Sequence, residues 1–352
     1  MTEEKQIILN MLKEGKITVE EASDLLNAIG DKKARENDFA GRIGSTVDSI
    51  IKKATEAISA IDIDLDQAFD INNLNLKGEI NSHKDIRVDD EIDEINIDLI
   101  NGEIYLEKGT ESGIIISTDV FSKKANLEDY INVEIRDNVL DIDENPDYKN
   151  LGASVKLRVQ VGKDYYEKLN IDTVNARVEI ADTDFRDLNI DSVNGKIIII
   201  NSKAGIDIDN VNGKIDIKNV DGNLRIDNVS GAIYLSGMKG DLVEVDNVSG
   251  NIRVDGLESA KLLANSRSGS IRLYNIKETK EIDLETVSGI IVVDTNDYDG
   301  DIKAFVESPA VNVTEKFTNK IKTDEGYDLS TPGEEAKLNI KAKNSNGKVS
   351  LR

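Results

Sequence analysis

The chain has 352 residues and a formal net charge of -24; 39% of its residues are hydrophobic and only 4% are aromatic. A surface this acidic repels nucleic-acid phosphates, and we therefore expect no nucleic-acid binding. A basic protein or a cationic peptide would be attracted to it. The absence of Cys excludes disulfides and thiol chemistry, and the single histidine, His83, excludes a multi-histidine zinc site within one chain.

Residues 1–30 are predicted to form a small α-helical hairpin. Apolar residues at helical spacing precede Gly15, and the T-x-x-E capping box of Thr18 and Glu21 starts a second apolar stripe that ends at Gly30. Two short helices bury little surface, so we expect the hairpin to contact a partner or to self-associate. The candidate contact residues are Leu12, Ile17, Leu25 and Leu26.

Residues 31–70 are predicted to be a polar linker followed by an amphipathic helix at 45–61. The polar face of that helix mixes both charge signs, which favours packing on the rest of the protein over binding to a membrane surface. The sequence shows neither a signal peptide nor an apolar run long enough to cross a bilayer, so we expect a cytoplasmic protein with at most peripheral membrane contact.

The pattern changes to strands at residue 71, and residues 71–352 are predicted to form one β domain. Apolar residues alternate on both sides of Asn101-Gly102, a strong turn signal. Further strand candidates lie at 114–116, 133–135, 139–142 and 155–161.

A repeat runs from 169 to about 305. Units such as LNIDSVNGK and IDIDNVNGK alternate apolar and polar residues and end at a corner, which recurs every 18–20 residues. This spacing predicts a parallel β-solenoid with about 18–20 residues per coil, so the fold class is mainly β with a small helical N-terminus. The predicted corner residues are Ala176, Gly195, Gly213, Gly231, Gly250, Gly269 and Gly289. Terminal coils need caps, for which the helix at 45–61 and the tail at 336–351 are candidates.

Stacked coils place equivalent side chains in ladders about 4.8 Å apart. One predicted ladder consists of Asp172, Asp191, Asp209, Asp227 and Asp246, followed by Asn265 and Glu285. Like charges this close repel each other. Turn amides, water and nearby Arg177, Lys196 and Lys214 could hold the carboxylates apart, or the ladder could bind Ca²⁺, although the corner motif of the calcium-binding nonapeptide roll is absent.

The sequence predicts an interaction surface and no enzyme. It contains no phosphate-binding loop, no G-x-S-x-G and no metal motif, so we assign no catalytic residue and expect no cofactor. One alternative is a solenoid that binds or cleaves cell-wall carbohydrate, which requires a lateral groove with clustered carboxylates and an exposed aromatic residue. Another is a purely structural, adhesin-like scaffold.

Two segments resemble a known family. The pattern from Leu12 through Gly15, Thr18 and Glu21 to Leu26 resembles the SHOCT-like helical module of the bacterial YvlB and LiaX proteins. The strand repeat around Gly195 and Gly250 is similar to the adhesin-like β-strand-repeat domain of unknown function in the same proteins. The resemblance implies a non-enzymatic protein of the Gram-positive cell-envelope stress response, linked to two-component signalling and antimicrobial-peptide sensing, with some members at the cell surface.

Overall fold

The computed structural model describes residues 80–122, 127–148, 153–333 and 335–352. The predicted hairpin at 1–30 and the predicted helix at 45–61 lie outside these ranges. No helix within the described ranges is long and apolar enough to cross a membrane. The described residues divide into two compact units, which we call the first unit (80–220) and the second unit (221–352).

Strands make up most of the first unit, which confirms the prediction of a mainly β protein. They are β1 (Ile80–Val88), β2 (Glu94–Lys108), β3 (Ile114–Phe121), β4 (Ile131–Arg136), β5 (Val139–Glu144), β6 (Ser154–Val161), β7 (Tyr166–Ala181), β8 (Asp184–Asn194), β9 (Ile197–Asn212) and β10 (Ile215–Asp221). A short 3-10 turn, Pro146–Tyr148, follows β5.

The strands of the first unit form two parallel walls. Wall A consists of β5, the first half of β2, the first half of β7, β8 and the second half of β9. Wall B consists of β6, the second half of β2, the second half of β7 and the first half of β9. Since β2 and β7 each pass from one wall to the other, each contributes most of one coil.

The core lies between the walls, where period-2 alternation places aliphatic side chains. Ile97, Ile171, Ile190 and Ile208 occupy equivalent positions on wall A, and all four are at most 1% exposed. A coil that cannot bury its own inner face does so against the coils on either side.

The strands of the second unit are shorter. They are β11 (Leu224–Ser230), β12 (Ile233–Lys239), β13 (Leu242–Ser249), β14 (Ile252–Leu257), β15 (Lys261–Ser268), β16 (Ile271–Ile276), β17 (Glu281–Ser288), β18 (Ile290–Val293), β19 (Ile302–Glu307), β20 (Ala310–Val313), β21 (Asn319–Lys322), β22 (Tyr327–Ser330), β23 (Leu338–Asn344) and β24 (Lys348–Leu351).

These strands also form two parallel walls, but the last coils are out of chain order. Wall C runs β11, β13, β15, β17, β23, β19. Wall D runs β12, β14, β16, β18, β24, β20. The C-terminal coil, β23 and β24, therefore lies between the coil of β17 and β18 and that of β19 and β20. The prediction of a sequential repeat up to residue 305 is wrong at its end.

Antiparallel strands, and not the predicted tail, cap the stacks. In the second unit, β22 pairs antiparallel with β19, and β21 pairs antiparallel with β22. In the first unit, β4 caps β5 on wall A, while β3 and then β1 cap β6 on wall B. The tail at 336–351 forms an internal coil because its apolar side chains complete the core.

The predicted corners stack directly on one another. A Cβ on Gly250 would lie 2.0 Å from the carbonyl oxygen of Gly231, and the φ angle of Gly250 is +130°. Both the close approach and the positive φ require glycine. The same close approach occurs at Gly195, Gly213, Gly269, Gly289 and Gly347.

Candidate functional site: an acidic strip on wall A

The outer face of wall A carries two adjacent columns of polar side chains, which we call the acidic strip. Parallel register aligns equivalent residues of successive strands. The first column is Asp143, Asp98, Asp172, Asp191 and Asp209, of which Asp209 is buried. The second column is Asp141, Asn96, Asn170, Asn189 and Asp207.

The sequence produces the strip through its strand alternation. In LNID and IDID, the Leu and Ile residues point into the core, so the intervening Asn and Asp residues face outward. All of these side chains except Asp143 and Asp209 line a groove of about 490 Å³, which Lys168 also lines. Among the residues that the structure describes, no aromatic side chain lines this groove.

The amide column is a directed hydrogen-bond ladder. Asn189 Nδ2 donates to Asn170 Oδ1 (2.9 Å), and Asn170 Nδ2 donates to Asn96 Oδ1 (2.7 Å). Asn96 Nδ2 then donates to the carboxylate of Asp141 (2.8 Å). The ladder therefore directs its amide donors toward the anionic end of the strip, where Asp141 lies beside Asp98 and Asp143.

The carboxylates of the aspartate column destabilise one another's charged forms at this end. Partial desolvation raises the pKa of Asp98, and the charges of Asp143 and Asp141 raise it further. Desolvation is also the largest cause of the raised pKa of Asp143, to which the charge of Asp141 adds, while a hydrogen bond from Asn132 opposes the shift. A cation approaching this face would relieve the repulsion.

Glu144 lies at the corner next to the strip. Its carboxylate accepts the backbone N–H of Ile100 (2.8 Å) and the hydroxyl of Tyr130 (2.8 Å). Burial raises the pKa of Glu144 to about 7, although these hydrogen bonds oppose the shift. Glu144 thus closes the first corner of wall A with a carboxyl group that titrates near neutral pH.

The predicted aspartate ladder is in register within each unit. In the second unit, Asp227 aligns with Asp246, and Asp246 aligns with Asn265, whose Nδ2 donates to the Asp246 carboxylate at 2.6 Å. Arg225 forms an ion pair with Asp227 at 2.5 Å. No group of three or more His, Cys, Asp or Glu side chains in the described ranges is arranged to hold a metal ion. Calcium binding by the ladder stays a prediction.

Two of the basic residues suggested as neighbours of the ladder have partners of their own. Arg177 pairs with Glu179 at 2.6 Å, and Lys214 pairs with Asp216 at 3.0 Å. The N-terminal contact candidates lie outside the described residues; they are Leu12, Ile17, Leu25 and Leu26.

Sequence reasoning missed two sets of structural asparagines. A buried ladder joins Asn194 to Asn175 (3.0 Å) and Asn175 to Asn101 (3.0 Å) just before the glycine corners. At the opposite corner, Asn201 and Asn219 have a φ of 53°, and Asn219 Nδ2 donates to Asn201 Oδ1 at 2.9 Å. The recurrence of Asn at these spacings was the available signal, since Asn tolerates positive φ better than other non-glycine residues.

The comparisons with known proteins identify the domain. The family model described as Toastrack DUF4097 matches residues 92–352. The chain belongs to this family. A SHOCT-like domain model matches residues 3–34, where the helical hairpin was predicted. No curated protein matches the chain.

Solved structures that are similar to this chain include the following three. A "putative lipid binding protein" from Parabacteroides distasonis is 14% identical, with a TM-score of 0.40, over 77% of this chain and 96% of its own. A "putative adhesin" from Bacteroides fragilis is 14% identical, with a TM-score of 0.39 and the same coverage. Another from Parabacteroides merdae is 14% identical, with a TM-score of 0.40, over 77% of this chain and 95% of its own. Similarity at this level does not transfer function.

Proposed function

We propose that this Toastrack protein is a non-enzymatic interaction protein of a Gram-positive cell-envelope stress response, related to YvlB and LiaX, and that its acidic strip binds cationic peptides. The observation that carries the proposal is the strip itself. One column holds five aspartates and the other holds two more, and within the described part of the chain Lys168 is the one cation that lines the groove.

The dimensions of the strip suit a helical peptide. Four steps of about 4.8 Å between five strands give a length of about 19 Å. A helix rises about 1.5 Å per residue, so about three and a half turns of a cationic helix could lie along the strip. The raised pKa of Asp98 supports this proposal, because the carboxylates repel each other until a cation neutralises them.

The strip supports binding better than catalysis. A glycosidase places two carboxyl groups with different roles on either side of one bond, whereas the strip repeats a carboxylate at every strand step. Carbohydrate-binding grooves of the kind considered above use aromatic platforms, and none of the described residues that line this groove is aromatic. We therefore propose no enzymatic activity.

The SHOCT-like module is the proposed second contact element. We propose that residues 3–34 bind a protein partner of the signalling pathway through Leu12, Ile17, Leu25 and Leu26. A double change, Leu25→Asp with Leu26→Asp, should abolish capture of that partner and leave peptide binding by the strip unchanged. Loss of both would show that the two elements do not act separately.

Calorimetric titration with a cationic amphipathic peptide, at low and at physiological salt, tests the role of the strip. The strip variant combines Asp98→Asn, Asp141→Asn and Asp143→Asn. The control variant neutralises the same number of exposed carboxylates in the second unit, through Asp241→Asn, Glu278→Gln and Asp324→Asn. We expect the strip variant to lose binding at physiological salt and the control to retain it. Equal loss in both would mean that net charge alone attracts the peptide.

A further inference from the structure

The outer face of wall D differs in charge from the rest of this acidic chain. Successive strands place Tyr234, Arg253 and Arg272 in one column, which ends at the buried Val292 and Ser350. Ser236, Asp255 and Tyr274 lie on one side of this column, and the exposed Ile290 and Lys348 lie on its other side. From β12 to β24 this face therefore presents three cations and one acid, although the chain has a net charge of -24.

The two arginines on this face, Arg253 and Arg272, differ in their contacts. Arg253 lies over the ring of Tyr274, 4.5 Å from its centroid, and its guanidinium bonds to Asp255 at 3.0 Å. This stacking restricts the guanidinium before any partner arrives. Arg272 is half-buried, and neither a hydrogen bond nor an ion pair satisfies it in the described structure. A half-buried guanidinium without a counter-charge favours an anionic ligand.

The surrounding residues are those of a protein interface. Tyr234 is 39% exposed and Ile290 is 41% exposed, so both present apolar surface beside the arginines. Tyr and Arg are enriched at the energetic centres of protein interfaces, whereas solvated faces are rich in Lys and Glu.

We propose that wall D binds the acidic strip of a second copy of this chain. We choose the strip as the partner surface because of charge complementarity: the strip is the most acidic face described, and wall D is a cationic one. The spacing also agrees. Arg253 and Arg272 are one strand step apart, about 4.8 Å. Asp143 and Asp98, like every neighbouring pair in their column, are separated by the same step.

The contact joins two different surfaces, so it is heterologous. A pair of copies leaves the strip of one copy and wall D of the other outside the contact, so association can continue from copy to copy. The inference uses the same strip as the proposed peptide site. A cationic peptide that occupies the strip would therefore displace the neighbouring copy, which couples peptide binding to disassembly.

Sedimentation velocity of the full chain over a concentration series, at low and at physiological salt, tests this proposal. One variant carries Arg253→Glu with Arg272→Glu, and the other carries Asp98→Lys with Asp143→Lys. We expect each variant alone to raise the dissociation constant at least about tenfold. An equimolar mixture should recover a dimer, because one intact wall D then meets one intact strip. Circular dichroism confirms that each variant is folded.

Several outcomes would overturn the proposal. These are a monomeric wild type throughout the series, no recovery in the mixture of folded variants, and equal loss with the control pair Lys303→Glu and Lys341→Glu. Loss only with Leu25→Asp and Leu26→Asp would assign association to the N-terminal module instead. A wild type that stays monomeric yet binds vesicles of anionic lipid through Arg253 and Arg272 would assign wall D to a membrane.

The peptide titration distinguishes a failure of the contact between copies from a failure of the proposed function. The variant with Arg253→Glu and Arg272→Glu leaves the strip intact, so it should still bind the cationic peptide. Peptide binding without self-association would refute only the contact between copies. Self-association without peptide binding would refute only the proposed function.

Discussion

Asp98 lies between two other aspartates of its column, so neutralising it should stabilise the protein. Its register partners are Asp143 on β5 and Asp172 on β7. The adjacent column shows what an amide does in the same setting, because Asn170 donates to Asn96 at 2.7 Å. Asp98→Asn removes two repulsions and supplies a donor to a neighbouring carboxylate.

The size of the effect follows from the geometry. Asp98 is exposed but partly desolvated, so the dielectric constant of water gives a lower bound, at which two unit charges about 4.8 Å apart repel by about 0.9 kcal/mol. Two neighbours give about 1.7 kcal/mol, and screening at physiological salt reduces this to about 1 kcal/mol. Cross-strand pairs of like charge destabilise sheets by comparable amounts. We expect Asp98→Asn to raise the free energy of unfolding by about 1 kcal/mol at neutral pH.

Urea denaturation across a pH series measures this gain. Because the pKa of Asp98 is raised in the folded protein, its protonated form contributes stability at low pH. This stability is lost as the pH rises through the folded pKa. The variant should therefore match the wild type at low pH and exceed it at neutral pH. Glu244→Gln is the control, because Glu244 aligns with Arg225 and Leu263 and should show no gain. A neutral or destabilising effect of Asp98→Asn at neutral pH would contradict a net repulsion at Asp98.

Three further predictions concern the coil corners, and each is read from urea denaturation. The wild type should lose up to about 3 kcal/mol of stability as the pH rises from about 4.5 through about 7, because the fold favours the protonated Glu144. Glu144→Gln should remove this loss, and an unchanged pH profile would contradict the buried carboxyl. Gly250→Ala should destabilise by at least about 2 kcal/mol. Gly205→Ala should cost clearly less, because its φ is not positive and its Cβ would lie 3.3 Å from the Arg186 carbonyl oxygen; similar values for both would contradict the stacked corners. Thr286→Val should cost about 1–2 kcal/mol because its hydroxyl bonds to the Gly269 carbonyl at 3.2 Å, and no loss would mean that the carbonyl is otherwise satisfied.

The coil pattern could be predicted from the sequence because stacking constrains every residue of a coil. The inward positions of Ile206 and Ile208 and the corner at Gly213 follow from alternation and period alone, and both isoleucines are buried. The extension of wall A to β2 was less visible. Asn101-Gly102 indicated a turn, but its register with Asn175 and Ala176 makes it a coil corner.

The order of the last coils could not be predicted from the period. The corner glycine after Gly289 is Gly347, which stacks on it with a Cβ that would lie 1.9 Å from the Gly289 carbonyl oxygen. Counting residues along the chain cannot reveal a coil that inserts from so far away. The local signal was present, because LNIKAKNSNGK repeats the alternation and corner of the earlier units.

The acidic strip was only half visible in the sequence. The column of Asp172, Asp191 and Asp209 followed from the repeat, but Asp98 and Asp143 join it through pairing across a less regular region. The contrast between wall A and wall D was not visible either. It depends on which alternate positions face outward on each wall, and the net charge of the chain conceals it.

Hydrogen–deuterium exchange of the full chain, with and without saturating cationic peptide at physiological salt, tests whether the acidic strip is the peptide site. We expect protection confined to the described segments of wall A, above all 94–99, 139–144 and 186–192. Protection confined to the N-terminal 1–62, or slight protection spread evenly over the chain, would contradict the assignment of the acidic strip as the peptide site.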